Sequence, residues 1–326
     1  MKHPAYHLRL NKAVDRFLLV ETLRILGEKF PHSEYTYYGF GGPFLEDCRL
    51  LHEYCPDISL VSIEHDNDTY QRQKFHKFTS SLKLIKKDFK DFLTAFQPTD
   101  KQIFWLDYVD MEPNRFGEFM EVLDKVADRS VVRITFKAQV DGNPFLEENP
   151  DDERKRAFLE KFESRYATLI PYPLEESFFS RPANLVTLIQ QMVRVQAEQA
   201  LPPNAEGSVF QPLSTSHYTD GTHMLSVTGI ICPKNEVQAI RKMFENWRFA
   251  NLDWKPPYEI NVPVFSIKER LFIEKHLPLS KIGKKKNLAH VIKYSIIDES
   301  KENWEERLED YAEIHKYCPA FAKIVV

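Results

Sequence analysis

The sequence predicts an α/β fold: a doubly wound, mostly parallel seven-stranded sheet closed by a C-terminal antiparallel hairpin, with an N-terminal helix and a smaller, mainly helical C-terminal region. Three observations predict it. Five short apolar runs between Tyr35 and Phe136 alternate with helical patterns, and parallel neighbours require such crossovers. Two further strand-like runs then face each other across one tight turn at Asp220-Gly221. The composition, 43% hydrophobic and 28% charged with 24 Phe and 14 Tyr, supplies a large core.

In chain order, Lys12 to Lys29 places Val14, Phe17, Leu18, Ile25 and Leu26 on one helical face, with Asn11 as cap and Gly27 near the end. Tyr35 to Phe40 is aromatic and β-branched, breaks at Gly41-Gly42, and restarts at Pro43 as a helix. Strand and helix then alternate: Ile58–Ile63, Asp66–Phe78, Leu82–Ile85, Phe89–Phe96, Gln102–Asp107, Arg115–Ala127 and Ser130–Phe136. From about 139 to 203 the pattern loosens into an insertion holding helices at Glu153–Tyr166 and Ala183–Ala200. Ser208–His217 and Met224–Cys232 form the hairpin. Beyond it come a helix at Asn235–Arg248, a Pro-rich passage from Trp254 to Pro263, and helices near Ser266–His276, Asn287–Ile297 and Lys301–Tyr317. Residues 1–233 are therefore read as the sheet domain and 234–326 as a substrate- or partner-binding region.

The formal net charge of -4 gives no global attraction to nucleic acid, so any such contact needs a local patch. No apolar run reaches the roughly 18 residues of a membrane span, and a cytoplasmic protein is expected, with no membrane partner. Cys48, Cys55, Cys232 and Cys318 have neither zinc nor redox spacing and read as buried reduced thiols.

Three short motifs fall at successive strand ends. Tyr38-Gly39-Phe40-Gly41-Gly42-Pro43 is a turn without side chains, Ile63-Glu64 follows it by about 20 residues or slightly more, and Lys87-Asp88-Phe89 follows the third strand. Taken alone, the first is also a tight turn, Glu64 a solvated turn residue, and Asp88 a helix cap. Together with the closing hairpin they resemble the class I, Rossmann-like S-adenosylmethionine (SAM) dependent methyltransferases. The opening segment with Arg9, Lys12, Asp15 and Arg16 is similar to that of uncharacterised bacterial proteins labelled O-methyltransferases. The resemblance implies SAM as cofactor, held by Gly39, Gly41, Glu64, Asp88 and Phe89, with Asp107 on the methionine side. It also marks a departure: the family usually has an acid two residues before the first glycine, where this chain has Tyr37.

The acceptor is unknown from sequence. The fourth strand ends Trp105-Leu106-Asp107-Tyr108, without the motif of base amino-methylating enzymes and without a Pro-Cys pair for C5 methylation. The run Phe104 to Asp110 is similar to the metal-dependent catechol-type O-methyltransferases, whose second ligand pair would here be Asp141 and Asn143, split by Gly142. Asp-Gly-Asn is also a common turn sequence, and no metal is assigned. Asp107, Lys137 and His217 are the catalytic candidates, with His223 beside the last. Five lysines and no acid from Ser280 to Lys293 offer a nucleic-acid or protein contact through Lys281–Lys293, ahead of eight acids between Asp298 and Glu313. An O-methyltransferase is the leading reading. A catalytically degenerate SAM- or nucleotide-binding module is the second, and a nucleotide-dependent oxidoreductase, disfavoured by the hairpin, the third.

Overall fold

A computed structural model of the chain describes residues 9–99, 101–149, 151–202, 207–277 and 304–319. Helix α1 (Leu10–Gly27) buries Val14, Leu18, Leu19, Leu23 and Leu26, largely the face marked by the apolar spacing. Asn11 lies inside the helix and is not its cap. Its amide donates to Thr219 O at 2.8 Å and its carbonyl oxygen accepts the Val262 N–H at 2.8 Å. A side chain carrying both donor and acceptor can tie two distant backbones in this way, which helical spacing does not reveal.

The strands are β1 (Tyr35–Gly39), β2 (Ser59–Glu64), β3 (Lys83–Lys86), β4 (Lys101–Asp107), β5 (Val131–Lys137), β6 (Ser208–Thr219), β7 (His223–Pro233) and β8 (Tyr258–Ile260). They form one sheet in the order β3-β2-β1-β4-β5-β7-β6-β8. The first five are parallel neighbours, and β7 runs antiparallel to β5 from Val131↔Ile230 to Lys137↔Met224. The expectation of seven strands is corrected to eight. The extra strand comes from the Pro-rich passage, where Tyr258, Glu259 and Ile260 are half-buried, exposed and buried in turn. Prolines keep such a segment out of a sheet interior but permit it at an edge.

Five helices follow the strands through the insertion: α2 (Glu46–Tyr54), α3 (Asn67–His76), α4 (Phe89–Thr94), α5 (Pro113–Lys125) and α6 (Asp152–Tyr166); α7 (Pro182–Ala200) completes it. α2 begins three residues after Pro43, because Gly42 (φ 53) and Leu45 (φ 56) both adopt left-handed backbone that no helix can include. Ile103, Phe104, Trp105 and Leu106 on β4 and Val131, Val132, Ile134 and Phe136 on β5 are almost wholly buried, as central parallel strands covered on both faces must be. Arg133 is equally buried, and its charge is accommodated: the guanidinium lies 4.8 Å from the Trp105 ring centroid and donates to Thr228 Oγ1 at 2.7 Å. α5 and α7 pack on each other, and α7 on β7, and Phe116, Phe119, Leu188, Ile189 and Met192 of the two helices belong to one buried core.

After the hairpin come α8 (Val237–Phe244), α9 (Ile267–Glu274) and α10 (Trp304–Ile314). The basic run Lys281–Lys293 and the helix expected at Asn287–Ile297 lie outside the described residues. The chain divides into two compact units. The larger, Leu18–His217 with Gly221–Tyr258, contains most of the sheet and α8. The smaller comprises Met1–Phe17, Tyr218–Asp220 and Glu259–Val326. Within it Phe17 stacks on Tyr317, and Arg270 bonds Glu274 Oε1 at 2.6 Å and Pro319 O at 2.7 Å. All four cysteines are buried free thiols, and burial pushes those of Cys55 and Cys318 up to about 11. Among the described residues, no helix is long and apolar enough to cross a membrane.

Candidate active site

The strand order reverses between β1 and β4, which sends successive crossovers to opposite faces and leaves a crevice outside the carboxyl ends of the strands. A cavity of about 370 Å³ opens there, with Phe40, Glu64, Asp88, Phe89, Asp107 and Tyr108 in its wall. Four residues singled out from sequence, Glu64, Asp88, Phe89 and Asp107, thus share one site. Gly39 and Gly41 do not line it; they shape the turn behind it.

That turn is held by packing and by hydrogen bonds. A Cβ on Gly41 would lie 2.6 Å from Ser62 Oγ and 2.9 Å from Leu45 Cδ2, and the backbone there has φ 66, so only glycine fits. The fully buried Gln73 of α3 donates from Nε2 to Phe40 O at 2.9 Å and to Gly42 O at 3.0 Å, and Ser62 Oγ donates to Phe40 O at 3.2 Å. Gly39 has a different reason: its absent Cβ would sit 2.2 Å from the hydroxyl of Tyr37, which is wholly buried on the same strand face. The residue standing in place of an acid therefore fills the space above Gly39.

Glu64 is nearly buried, with its side chain 11% exposed, and accepts the Asp66 N–H at 2.8 Å. Burial pushes its carboxyl above the ordinary value, against the pull of that backbone N–H. Asp88 caps α4 by accepting from Lys90 N at 2.9 Å, and Phe89 meets Phe40 edge-on with centroids 5.3 Å apart. Asp107 ends β4, opposite Thr135 of β5. Sequence reasoning missed the next layer. Tyr108 donates to Glu118 at 2.5 Å, and Arg115 lies over the Tyr108 ring at 4.8 Å while pairing with Glu118 and Asp110. Burial, then the Glu118 carboxylate, raises the Tyr108 hydroxyl far above its usual range, so it remains a donor. The i, i+3 spacing of Arg115 and Glu118 was the available signal.

A second cavity, of about 500 Å³, adjoins the first and shares Val109 and Asp110 with it. Lys137 lines it from the end of β5, across from Phe162 and Tyr166 of α6. Val109 is 80% exposed at this shared rim. His217 lines neither cavity. Its Nε2 is 2.9 Å from Nδ1 of His223, and burial, then that neighbour, pulls it down to about 4. Asn143 is turned away from any shared ligand set: its amide donates to Phe179 O at 2.9 Å, and its oxygen accepts from Phe145 N at 3.0 Å. With Gly142 at φ 71, Asp141-Gly142-Asn143 forms a turn.

A family model described as "Putative O-methyltransferase" matches residues 4–326. The chain belongs to this O-methyltransferase family. Membership implies SAM as the methyl donor. No curated protein sequence matches the chain. Solved structures to which it is similar include Trm1 from Pyrococcus horikoshii with S-adenosyl-L-methionine, at 12% identity and a TM-score of 0.46, covering 72% of this chain and 57% of that one. Another is the plantazolicin methyltransferase BamL with a triazolic desmethylPZN analogue and SAH, at 9% identity and 0.36, covering 67% and 84%. A third is the fibrillarin/Nop5p complex, at 8% and 0.34, covering 65% and 80%.

Proposed function

We propose that the first cavity seats SAM and the second the methyl acceptor, so that transfer takes place across the rim at Val109 and Asp110. The observation that carries this is the meeting of two cavities at the switch point of the sheet, one of them walled by Glu64, Asp88, Phe89 and Asp107. The wall suits the donor: a carboxylate for ribose hydroxyls and aromatic rings for a base. Asp107 would face the amino group of the methionine end. SAM supplies an electrophilic methyl on a sulfonium, and in-line displacement by an acceptor oxygen forms the O–CH3 bond, breaks the S–CH3 bond and leaves a neutral thioether.

The chain's own residues then have three tasks. Glu64 fixes the ribose, and the Gln73-braced turn keeps backbone carbonyls from shifting into the cavity. The acceptor hydroxyl gives its proton to solvent, and the Lys137 ammonium offsets the charge left on its oxygen. The aromatic walls cover donor and acceptor on their inner sides. His217, buried against His223 outside both cavities, has no part in this arrangement.

A noncatalytic SAM-binding module is the second reading, favoured by Tyr37 in place of the usual acid. Titration with S-adenosylhomocysteine (SAH) and a methyl-release assay over hydroxyl acceptors distinguish the two. Binding with turnover is expected; binding without turnover on any acceptor would leave the module, and no binding would remove both. A polyanionic partner at Lys281–Lys293 belongs to the same proposal: replacing Lys284, Lys285 and Lys286 with Glu should abolish a salt-sensitive association with RNA or DNA.

A further inference from the structure

The second cavity has a wall of distinctive chemistry. α6 contributes Phe158, Phe162 and Tyr166, four residues apart and therefore on one face, with successive ring centroids 6.5 Å and 4.6 Å apart. Lys161 and Arg165, each three residues after a ring, line the same cavity. Its three acids already face other cations: Asp110 meets Arg115 at 3.4 Å, Glu112 meets Arg165, and Asp141 lies 4.0 Å from Lys137. Among the described residues this leaves Lys161 as the one cation of the wall that none of the cavity's acids offsets.

A ladder of rings accepts a flat aromatic body, and a cation beside it selects an anionic substituent on that body. The volume of about 500 Å³ is that of a small-molecule site. We infer that the acceptor is a phenolic carboxylic acid, with its ring against Phe158, the partly exposed ring that the buried Phe162 backs, its carboxylate at Lys161, and its hydroxyl at the sheet edge by Lys137 and Val109. This rests on the reading of the second cavity as the acceptor site. Lys137 then meets the oxygen that reacts, and Lys161 the one that does not.

The test is binding, read by calorimetry or ligand-observed NMR with and without SAH, of 4-hydroxybenzoate, its neutral amide 4-hydroxybenzamide, and the saturated analogue trans-4-hydroxycyclohexanecarboxylate. 4-Hydroxybenzoate should bind at least about fivefold more tightly than either comparator. Lys161→Met should remove the preference for carboxylate over amide, and Lys161→Glu should invert it, while SAH binds all three proteins alike. Phe158→Ala should weaken both aromatic probes together. Normal SAH binding with equal affinity for acid and amide, or with no probe bound at about 1 mM, overturns the acceptor class and leaves methyl transfer standing. Hydroxybenzoate binding that depends on Lys161 in a protein that does not bind SAH supports the ligand class and overturns the donor site. Failure of both ligands overturns both.

Discussion

Glu64 is held between opposing influences: burial works against its charge, while the Asp66 N–H and the ribose hydroxyls it is proposed to bind favour that charge. Because its carboxyl titrates above the ordinary range, SAH affinity should fall as the medium is acidified at a pH where exposed carboxylates are still ionised. Glu64→Ala should weaken SAH by at least about tenfold, and Glu64→Gln by less, since one acceptor remains. The sign for stability is the reverse of that for binding. A raised carboxyl pKa contributes stability below its unfolded value and loses it as pH rises through the folded value, so unliganded Glu64→Gln should melt no lower than wild type at neutral pH. His217 shows the opposite shift. Its folded value of about 4 lies below the ordinary 6.5, so the unfolded chain binds the extra proton and stability should fall as pH drops from about 6.5 toward 4. Denaturant titrations across that window should show a loss on the order of 1–3 kcal/mol that His217→Gln flattens; identical slopes in both proteins would assign the acid sensitivity elsewhere. At this scale the sequence was legible where a residue ends a strand, because strand ends are fixed by the alternation. It was illegible for His217, whose strand extends past it to Thr219 and turns its ring to His223 and away from the cavities.

The turn between β1 and α2 depends on α3. Gln73 is the buried residue of a mostly polar helix; its Nε2 donates to Gly42 O and to Phe40 O, the latter also reached by Gly42 N–H, and its Oε1 lies 3.2 Å from Ser62 Oγ. Gln73→Leu should therefore cost about 1–3 kcal/mol, measured by urea denaturation, and should also loosen SAH. Gln73→Glu should be worse, since a carboxylate offers the two carbonyls no donor. An unchanged SAH affinity in a destabilised Gln73→Leu protein would separate the turn from the cofactor site. The glycine pair was legible in the sequence, but the brace was not, since a Gln in a polar helix carries no signal until the helix is placed on the sheet. β8 was missed for a related reason: three residues between prolines are too few for periodicity, and only pairing at an open edge makes them a strand. The aromatic ladder of α6 was there to be read, in Phe158, Phe162 and Tyr166 at intervals of four. It gains meaning only once the end of β5 is known to stand opposite.

At the level of the molecule, the walls of both cavities, among the described residues, come from residues 40–166, within the larger compact unit. That unit has its own core, running from Val61 on β2 to Ile231 on β7, and its central strands are buried on both faces. The smaller unit has separate ties of its own, among them the Phe17–Tyr317 stack and the Arg270–Glu274 pair, and none of its described residues lines either wall. A unit with its own core can fold without the remainder, and a site built wholly inside it should keep its affinity. A chain ending at Tyr258 should accordingly unfold in one cooperative transition and bind SAH within about threefold of the full-length protein, although Phe17 and Asn11 lose Tyr317 and Val262 and overall stability drops. The measurement is a paired urea titration and SAH calorimetry on both proteins. If the shortened chain folds cooperatively but no longer binds SAH, residues beyond Tyr258 complete the donor site, and the assignment of that site to the β1–β4 crevice alone fails.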